Sequence, residues 1–309
     1  MYAIAVHGGA GSWSHTPRKP ALAGVEQAAE VGRQILEKGG SALDAVTEAV
    51  RVFEDDPLFN AGTGSVLNFD GDAEMDAGIM VGSGLRTGGV AALRRVRNPI
   101  LVARKVMEMT DHVLLGGSGA LRFARAVGFA DYDPVTLQRR KNWQRHREDL
   151  EAKQGDDKVA ALHTLLSTWP REDDMGTVGA VALDRQGELA AGTSTGGVTL
   201  KLPGRIGDSP LPGAGNYATP HAAVSATGRG ELMMRFLTAK VICDDIWNGH
   251  PANKAVERVL REMGKCVGED VGVIALDSEG DFGIHHLTPA MPHAWVREGS
   301  PAIEVRMTT

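Results

Sequence analysis

Thr177 stands where the character of the chain changes abruptly. The charged sequence DDMG leads up to it, and a run of small and β-branched residues, VGAVAL, follows it directly. A threonine hydroxyl is a poor nucleophile unless a base takes its proton, and one recurring base is the α-amine of a threonine at a chain N-terminus. Because Thr177 is internal, that chemistry requires a cut between Gly176 and Thr177.

Further along the chain, hydroxyl-bearing residues stand in glycine-rich turns. These turns are GTSTGG at 192–197, KLPGRIGDSP at 201–210 and ATGRGE at 226–231. Each places hydroxyl or backbone N–H groups where they could stabilise an oxyanion. Taken singly, each is weak evidence, since glycine turns that contain threonine are usually only turns.

Arg205 and Asp208 lie three residues apart in the glycine-flanked loop GRIGD. One interpretation is a salt bridge between them, which would contribute little to stability if exposed. The functional interpretation is that Arg205 binds a carboxylate through its planar fork while Asp208 accepts from an ammonium.

Serine-hydrolase and metal chemistry receive little support. GTSTG at 192–196 matches G-x-S-x-G, and HGGAG at 7–11 is similar to an esterase oxyanion loop, but a nucleophile elbow needs a helix directly after the serine. Here β-branched residues and Pro203 follow instead. His285 and His286 are adjacent, so in a strand they point to opposite faces and cannot readily share an ion. We predict no metal site and no nucleotide-binding loop.

The elements that must position these residues are predicted from periodicity and capping signals. Ser41 with Asp44 has the spacing of a capping box, and Pro99 suits the first turn of a helix. Clustered strands with long helices between them favour stacked antiparallel sheets covered by helices over a doubly wound parallel sheet. The predicted strands or strand pairs are 2–7, 78–84 with 88–96, 177–194, 222–227 and 271–288, and the predicted helices are 21–38, 41–54, 98–109, 231–247 and 253–263.

Residues 131–176 are polar and carry charges of both signs, which predicts a mobile surface linker with one helix at 158–167. The basic residues of this segment are followed at once by acidic ones, so we interpret them as a solvated face rather than a binding patch. They are Arg139, Arg140, Lys141, Arg145 and Arg147.

The composition, 42% hydrophobic and 23% charged residues, is that of a soluble globular protein. The formal net charge of −6 argues against a nucleic-acid partner. Cys243 and Cys266 are too few for a disulfide framework. The N-terminus lacks the features of a signal peptide, and no apolar run approaches the roughly 18 residues of a membrane span, so we expect a cytoplasmic protein.

Taken together and in order, six motifs closely resemble those of the isoaspartyl peptidase/L-asparaginase family, the plant-type asparaginases among the N-terminal-nucleophile hydrolases. The motifs are HGGAG, PLFNAGTGS, GTVGAVALD, GTSTGG, KLPGRIGDSPLPGAG and TGRGE. The resemblance runs from residue 6 to about residue 295 and is weakest in the linker. It implies an α+β fold, a four-layer αββα sandwich of stacked antiparallel sheets, in a single domain of residues 1–309.

The resemblance also implies maturation and assembly. Such a chain cleaves itself into an α subunit, residues 1–176, and a β subunit, residues 177–309, and two cleaved protomers form an (αβ)2 dimer. No cofactor is expected, although in some members the loop corresponding to residues 53–63 binds sodium through backbone carbonyls. The partner is then a small-molecule or dipeptide substrate, with no nucleic acid and no membrane.

Site roles are carried over motif by motif. Thr177 would be the nucleophile, with its own α-amine as the general base, released by cleavage after Gly176. The other implied roles are those of Thr195 near the nucleophile, Thr227 and Gly228 in the oxyanion hole, Arg205, Asp208 and Gly230 around the substrate's α-carboxylate and α-ammonium, and Asn60 at the freed amine.

The implied activity is release of L-aspartate from L-asparagine and from β-aspartyl dipeptides. Glycosylasparaginase-like hydrolysis of a glycosylated asparagine is the first alternative, and a non-catalytic small-molecule-binding protein is the second. Arg229, Asn216 and the sequence TPAM at 288–291 depart from the usual family pattern. None of them removes a catalytic group, but together they leave the preferred leaving group open.

Overall fold

The computed structural model describes residues 1–14, 16–152 and 176–308. Eight α-helices and twelve strands are described here. The helices are α1 (Arg18–Glu37), α2 (Ala42–Asp55), α3 (Pro99–Met109), α4 (Gly117–Ala126), α5 (Leu137–Ala152), α6 (Gly230–Phe236), α7 (Thr238–Trp247) and α8 (Ala252–Cys266). The strands are β1 (Ala3–His7), β2 (Met75–Val81), β3 (Thr87–Leu93), β4 (Leu114–Gly116), β5 (Val178–Leu183), β6 (Leu189–Thr195), β7 (Asn216–Ala218), β8 (Ala222–Gly228), β9 (Val271–Asp277), β10 (Phe282–His286), β11 (His293–Arg297) and β12 (Glu304–Arg306).

Two sheets stack face to face. One has eight strands in the order β12-β11-β1-β5-β6-β2-β3-β4, and the other has four in the order β10-β9-β8-β7. Neighbouring strands are antiparallel except β3 and β4, which are parallel. The α+β class with stacked sheets is therefore confirmed, with one parallel pair at the edge of the larger sheet.

Alternation of side chains along the strands produces the four layers. In β1, Ile4 and Val6 join the core beneath the first three helices, whereas Ala3 and Ala5 join the core between the sheets. In β8, Val224 packs with residues of α7 and α8, and Ala223 faces the larger sheet. Each sheet thus has one face on helices and one on the other sheet, as period-two side-chain alternation requires, and the predicted αββα order is confirmed.

Local signals placed several helices correctly. The Ser41 hydroxyl accepts the Asp44 backbone N–H at 3.1 Å, so the predicted cap of α2 is formed. Pro99 occupies the first turn of α3. One expectation was wrong: the helix predicted at 231–247 is two helices, because Leu237 adopts left-handed φ and ψ angles of 53° and 49° between them.

The segment predicted to be an irregular linker contains α5, and this helix is docked rather than solvated. Its basic and aromatic side chains bind backbone carbonyls of the loop before β2. Arg139 is 7% exposed and donates to the Gly64 carbonyl, and Trp143 donates to the Asn68 carbonyl at 2.9 Å. The solvated-face interpretation is therefore wrong for Arg139. The helix predicted at 158–167 lies outside the described residues.

Within the described ranges, no helix is both long and apolar enough to cross a membrane.

Glu54 is a buried carboxyl that joins α2 to the larger sheet. Its Oε1 atom accepts the Ser194 hydroxyl at 2.6 Å and the Ile100 backbone N–H at 2.9 Å. Burial raises the pKa of Glu54 to about 8 and outweighs these bonds, which favour the charged form. Glu54 is therefore mostly protonated at neutral pH.

We expect the free energy of unfolding to fall as the pH rises from 4.5 to 8, and to fall less in Glu54→Gln. The unfolded carboxyl ionises above its ordinary pKa of 4.5, whereas the folded one holds its proton up to about 8. The contribution of protonated Glu54 to the free energy of unfolding is therefore fully present below pH 4.5 and is lost as the pH rises through about 8. The slopes of the two proteins should differ by up to about 1.4 kcal/mol per pH unit.

Urea unfolding across this pH range measures both slopes. Glu48→Gln, at a partly exposed position on the same helix, is the matched control and should keep the wild-type slope. Identical slopes for wild type and Glu54→Gln would contradict the assignment of a protonated Glu54.

Candidate active site

A row of polar side chains crosses the larger sheet where β5, β6 and β2 lie side by side. Val178 pairs with Ser194, so the register sets Thr177 opposite Thr195 one position earlier. Thr195 pairs in turn with Asp76 of β2. Because side chains alternate along strands, Thr177, Thr195 and Asp76 share the face that looks toward the four-stranded sheet. All three are buried, at 5%, 3% and 0% exposure.

The peptide between Gly176 and Thr177 is tightly enclosed. A Cβ at Gly176 would lie 2.8 Å from both the Ala10 carbonyl oxygen and the Thr227 hydroxyl oxygen. Gly9 has a φ of +111°, and a Cβ there would lie 2.5 Å from the Gly176 carbonyl oxygen. These close approaches leave no room for a side chain at either position. The HGGAG turn and the Gly176–Thr177 peptide are therefore in direct contact.

Thr227 reaches this peptide from the opposite sheet. It lies near the end of β8, is fully buried, and its Oγ1 atom accepts the Ala10 backbone N–H at 3.0 Å. Gly228 follows with a φ of +124°, and a Cβ there would collide with the Asp270 carbonyl. The sharp bend at Gly228 leads directly into α6. Thr227 thus lies beside Gly176, and the oxyanion role of Thr227 and Gly228 stays a prediction.

Arg205, Asp208 and Gly230 come together at the same end of the sandwich. A Cβ at Gly230 would lie 2.7 Å from Asp208 Oδ1 and 3.2 Å from Arg205 Nη2. Arg205 is paired with Glu231, with both its Nε and Nη2 atoms 2.9 Å from Oε1. The alternative of an Arg205–Asp208 salt bridge is therefore wrong, because a partner that the sequence did not suggest holds the guanidinium.

The Asp208 carboxyl is buried and incompletely bonded. Asp208 is 2% exposed, and its Oδ2 atom has no hydrogen-bond partner among the described residues. Burial raises the pKa of Asp208 to about 7, although the nearby charge of Arg205 lowers it. A buried acceptor without a donor costs free energy that a cationic ligand would recover. This arrangement suits an ammonium group.

Asn60 lies beside the turn that follows Thr195. Its Nδ2 atom donates to the Gly197 carbonyl at 2.8 Å, and its Oδ1 atom accepts the Val66 backbone N–H at 2.9 Å. The Thr195 hydroxyl accepts the Gly197 N–H at 3.0 Å, so Asn60 and Thr195 both hydrogen-bond to the backbone of Gly197. The expected contact between Asn60 and the amine of Thr177 stays a prediction.

A buried hydrogen-bonded chain behind Thr177 escaped the sequence analysis. His7 Nε2 lies 2.8 Å from the Ser225 hydroxyl, which lies 2.7 Å from the Thr193 hydroxyl. Thr193 donates in turn to the Gly215 carbonyl at 3.1 Å. Burial lowers the pKa of His7 to about 3 and outweighs a hydrogen bond with the Thr177 backbone. His7 is therefore neutral and links the two sheets next to the candidate nucleophile.

The serine-hydrolase alternative fails on geometry. Ser194 points away from the face that carries Thr177 and Thr195, and it donates to Glu54 beneath α2.

Among the described residues, no three His, Cys, Asp or Glu side chains are grouped to hold a metal ion. In the loop at 53–63, the Glu54 carbonyl accepts the Thr63 N–H at 2.7 Å, and the Asp56 carbonyl accepts the Phe59 N–H at 3.2 Å. Sodium binding by this loop stays a prediction.

The chain is similar to known proteins over nearly its whole length. The model of the asparaginase family designated Asparaginase_2 matches residues 1–303. A plant-type L-asparaginase of Pyrococcus furiosus is 50% identical, and the match covers 97% of each chain. An isoaspartyl peptidase of Salmonella typhimurium is 44% identical, with 94% of each chain covered. An isoaspartyl peptidase/L-asparaginase of Xenopus laevis is 42% identical, over 96% of this chain and 92% of the relative.

We expect Ser225→Ala to lower the free energy of unfolding by about 1–3 kcal/mol, because it leaves His7 Nε2 buried without its partner. Thermal or urea unfolding of the purified proteins measures the change. Ser300→Ala, at an exposed position, is the control and should be neutral. Wild-type stability in Ser225→Ala would show that the chain from His7 to Thr193 contributes nothing.

Proposed function

Because the chain belongs to this asparaginase family, we propose that it is a threonine-nucleophile amidohydrolase that releases L-aspartate from L-asparagine and from β-aspartyl dipeptides. The observation that carries the proposal is the enclosure of the Gly176–Thr177 peptide between Gly9, Ala10 and Thr227. Gly230, which follows Thr227 closely in sequence, lies against Arg205 and Asp208, whose loop suits an amino-acid head. The relatives named asparaginase and isoaspartyl peptidase support both substrates.

The first reaction is maturation. The Thr177 hydroxyl oxygen attacks the Gly176 carbonyl carbon, the C–N bond breaks, and the hydroxyl proton passes to the departing nitrogen. The product has an ester between Gly176 and the Thr177 side chain and a free α-amine on Thr177. Water then hydrolyses the ester and leaves a carboxylate on Gly176 and an N-terminal Thr177. The closeness of Gly176 to Gly9, Ala10 and Thr227 supports this step, since groups from both sheets surround the bond to be cut.

The second reaction is turnover. Arg205 binds the α-carboxylate of the substrate, and Asp208 accepts from its α-ammonium. The Thr177 α-amine takes the proton of its own hydroxyl as that oxygen attacks the β-carbonyl. The Thr227 hydroxyl and the Gly228 N–H stabilise the oxyanion, and the leaving amine departs with a proton. Water then hydrolyses the β-aspartyl ester, and L-aspartate is released.

Several supporting groups have assigned places in this scheme. Glu231 fixes the guanidinium of Arg205 from one side, so the remaining donors stay oriented for a carboxylate. Gly230 gives room between Arg205 and Asp208 for the substrate's α-carbon. Thr195 and Asn60 are proposed to orient the nucleophile and its amine from the neighbouring strand.

We also propose a single domain of residues 1–309, cut into subunits 1–176 and 177–309, working in the cytoplasm as an (αβ)2 dimer. The interdigitated sheets support the single domain. The composition and net charge support the absence of nucleic-acid and membrane partners. No cofactor takes part in either reaction as written, and sodium at the 53–63 loop would act on structure alone.

We expect the purified protein to give two bands on a denaturing gel, with the smaller fragment beginning Thr-Val-Gly-Ala-Val. Thr177→Ala should remain one inactive chain, because it lacks the attacking hydroxyl. N-terminal sequencing of each band checks the cut. Thr308→Ala, at an exposed position near the C-terminus, should be cut like wild type. An intact wild-type chain with full asparaginase activity would disprove the mechanism.

We expect wild type to cleave β-aspartyl-leucine and to cleave α-aspartyl-leucine poorly, because an α-peptide bond consumes the carboxylate that Arg205 binds. Arg205→Ala should lower kcat/KM on the β-isomer by at least about tenfold, since a charged hydrogen bond is lost. Lysine should rescue only partly because it cannot form the planar fork.

Steady-state kinetics on both isomers, L-asparagine and a glycosylated asparagine provide the comparison. Self-cleavage of Arg205→Ala should proceed, since it needs no substrate, and exposed Arg95→Ala serves as the charge-matched control. Equal rates on the α- and β-isomers would refute the role given to this loop. A clear preference for glycosylated asparagine would favour the alternative activity.

A further inference from the structure

Two buried carboxylates hold the loop that carries Arg205 and Asp208. Glu74 Oε2 accepts the backbone N–H of Gly204 at 2.9 Å, and Asp76 Oδ2 accepts the backbone N–H of Gly207 at 3.1 Å. The two bonds bracket Arg205 and end one residue before Asp208. We call residues 204–208 the head-group loop. Its backbone is therefore fixed by side chains that the proposed reactions do not use.

Asp76 is itself rigidly held. The pairing of β2 with β3 is irregular between Met75 and Ala77, so Asp76 lies at a bulge. Its Oδ1 atom accepts the Ala92 backbone N–H of β3 at 2.7 Å, which satisfies a donor near the irregularity. One oxygen of Asp76 thus binds the sheet and the other binds the head-group loop.

Asp76 also lies beside Thr177 and Thr195 on one face of the larger sheet, and we call these three residues the threonine row. Asp76 is the strand partner of Thr195, which lies opposite Thr177. The Asp76 carboxylate therefore connects strand β2, which lies beside Thr195 of β6, to the head-group loop. Its bonds reach across 16 and 131 residues of sequence.

Lys201 is a buried basic residue close to the acidic side chains of Glu74 and Asp76. It is completely buried, and its Nζ atom donates to the Glu74 carbonyl at 2.6 Å. Burial lowers the pKa of Lys201, and the charges of Asp76 and Glu74 oppose that shift. Burial alone would raise the pKa of Glu74, but hydrogen bonds from Arg94 and Gly204 lower it on balance. The surroundings of Glu74 therefore favour its charged form, whereas those of Lys201 on balance disfavour the ammonium.

We propose that Asp76 is a positioning residue that sets the distance between the threonine row and the head-group loop, with Glu74 and Lys201 in support. The inference rests on the proposed function. An aspartyl substrate has a fixed length from its α-carbon to its β-carbonyl, so Thr177 attacks productively only when the head is held at a matching distance. A displacement of about 1 Å in such a site costs on the order of 10²-fold in rate.

The test is Asp76→Asn, measured on the purified mature enzyme with L-aspartate as competitive inhibitor and β-aspartyl-leucine as substrate. An amide has one acceptor oxygen, so either Gly207 N–H or Ala92 N–H must face an NH2 group. We expect kcat, expressed per cut molecule, to fall on the order of 10²-fold because the β-carbonyl is misplaced, and the inhibition constant and KM each to rise at least about tenfold because the loop that binds the head loses an anchor. A loss of folded or cut protein would lower the apparent kcat and leave both constants unchanged.

Glu74→Gln leaves one acceptor oxygen for the Gly204 N–H and the Arg94 guanidinium together, so it weakens the bond to Gly204 and should raise the same two constants. This variant keeps the test valid if Asp76→Asn does not fold. Asp72→Asn is the matched control: Asp72 is 53% exposed, also pairs with Arg94, and should keep wild-type constants. Wild-type constants in both test variants would overturn the proposal. A wild-type enzyme that neither binds L-aspartate nor cleaves β-aspartyl-leucine would instead overturn the proposed function, and this inference with it.

Discussion

Strand β5 pairs with β6 in a register that sets Thr177 opposite Thr195, and β6 pairs with β2 so that Thr195 lies beside Asp76. A slip of one residue in β5 would turn Thr177 toward α2 and bring Val178 into the site. The core between the sheets prevents that slip, because Val181 and Leu183 of the same strand are buried there. Apolar packing far from the reactive groups therefore holds the register on which those groups depend.

The same row requires the two sheets to approach closely at one end. A Cβ at Gly179 would collide with the Ser225 hydroxyl and crowd the His7 ring. The missing side chain makes room for a neutral histidine between the sheets, whose Nε2 atom is bonded to the Ser225 hydroxyl, which is bonded in turn to Thr193. Buried polar groups cost free energy unless they are bonded. This end of the sandwich accordingly exchanges apolar packing for a connected polar chain next to the reactive peptide.

Sequence reasoning was reliable where the determining interactions are local. The Ser41 cap, Pro99 at the start of α3 and the strand at residues 2–7 all depend on neighbours a few residues away, and each was predicted. The break at Leu237 and the docking of Arg139 depend on distant parts of the chain, so periodicity missed both. The motifs singled out Thr177, Thr227 and Asp208, which the fold brings to one end of the sandwich, and the roles of these residues stay predictions. The partners that hold the site, Glu231 on Arg205 and Asp76 on Gly207, are set by tertiary contacts that no motif spacing reveals.

The order of strands in the larger sheet has a consequence for the lifetime of a molecule that is cut as proposed. Strand β1 comes from before residue 176, yet it lies between β11 and β5, which come from after it. Strands β2, β3 and β4, also from before it, continue the sheet beyond β6. If the chain is cut after residue 176 as proposed, the pairings of β1 with β11 and β5, and of β6 with β2, join the two fragments in one sheet. Folding of the intact chain is a unimolecular process, but recovery of an unfolded cut molecule becomes a search between two fragments and depends on their concentration. Such an enzyme persists through slow unfolding rather than repeated refolding, and each molecule is in effect assembled once.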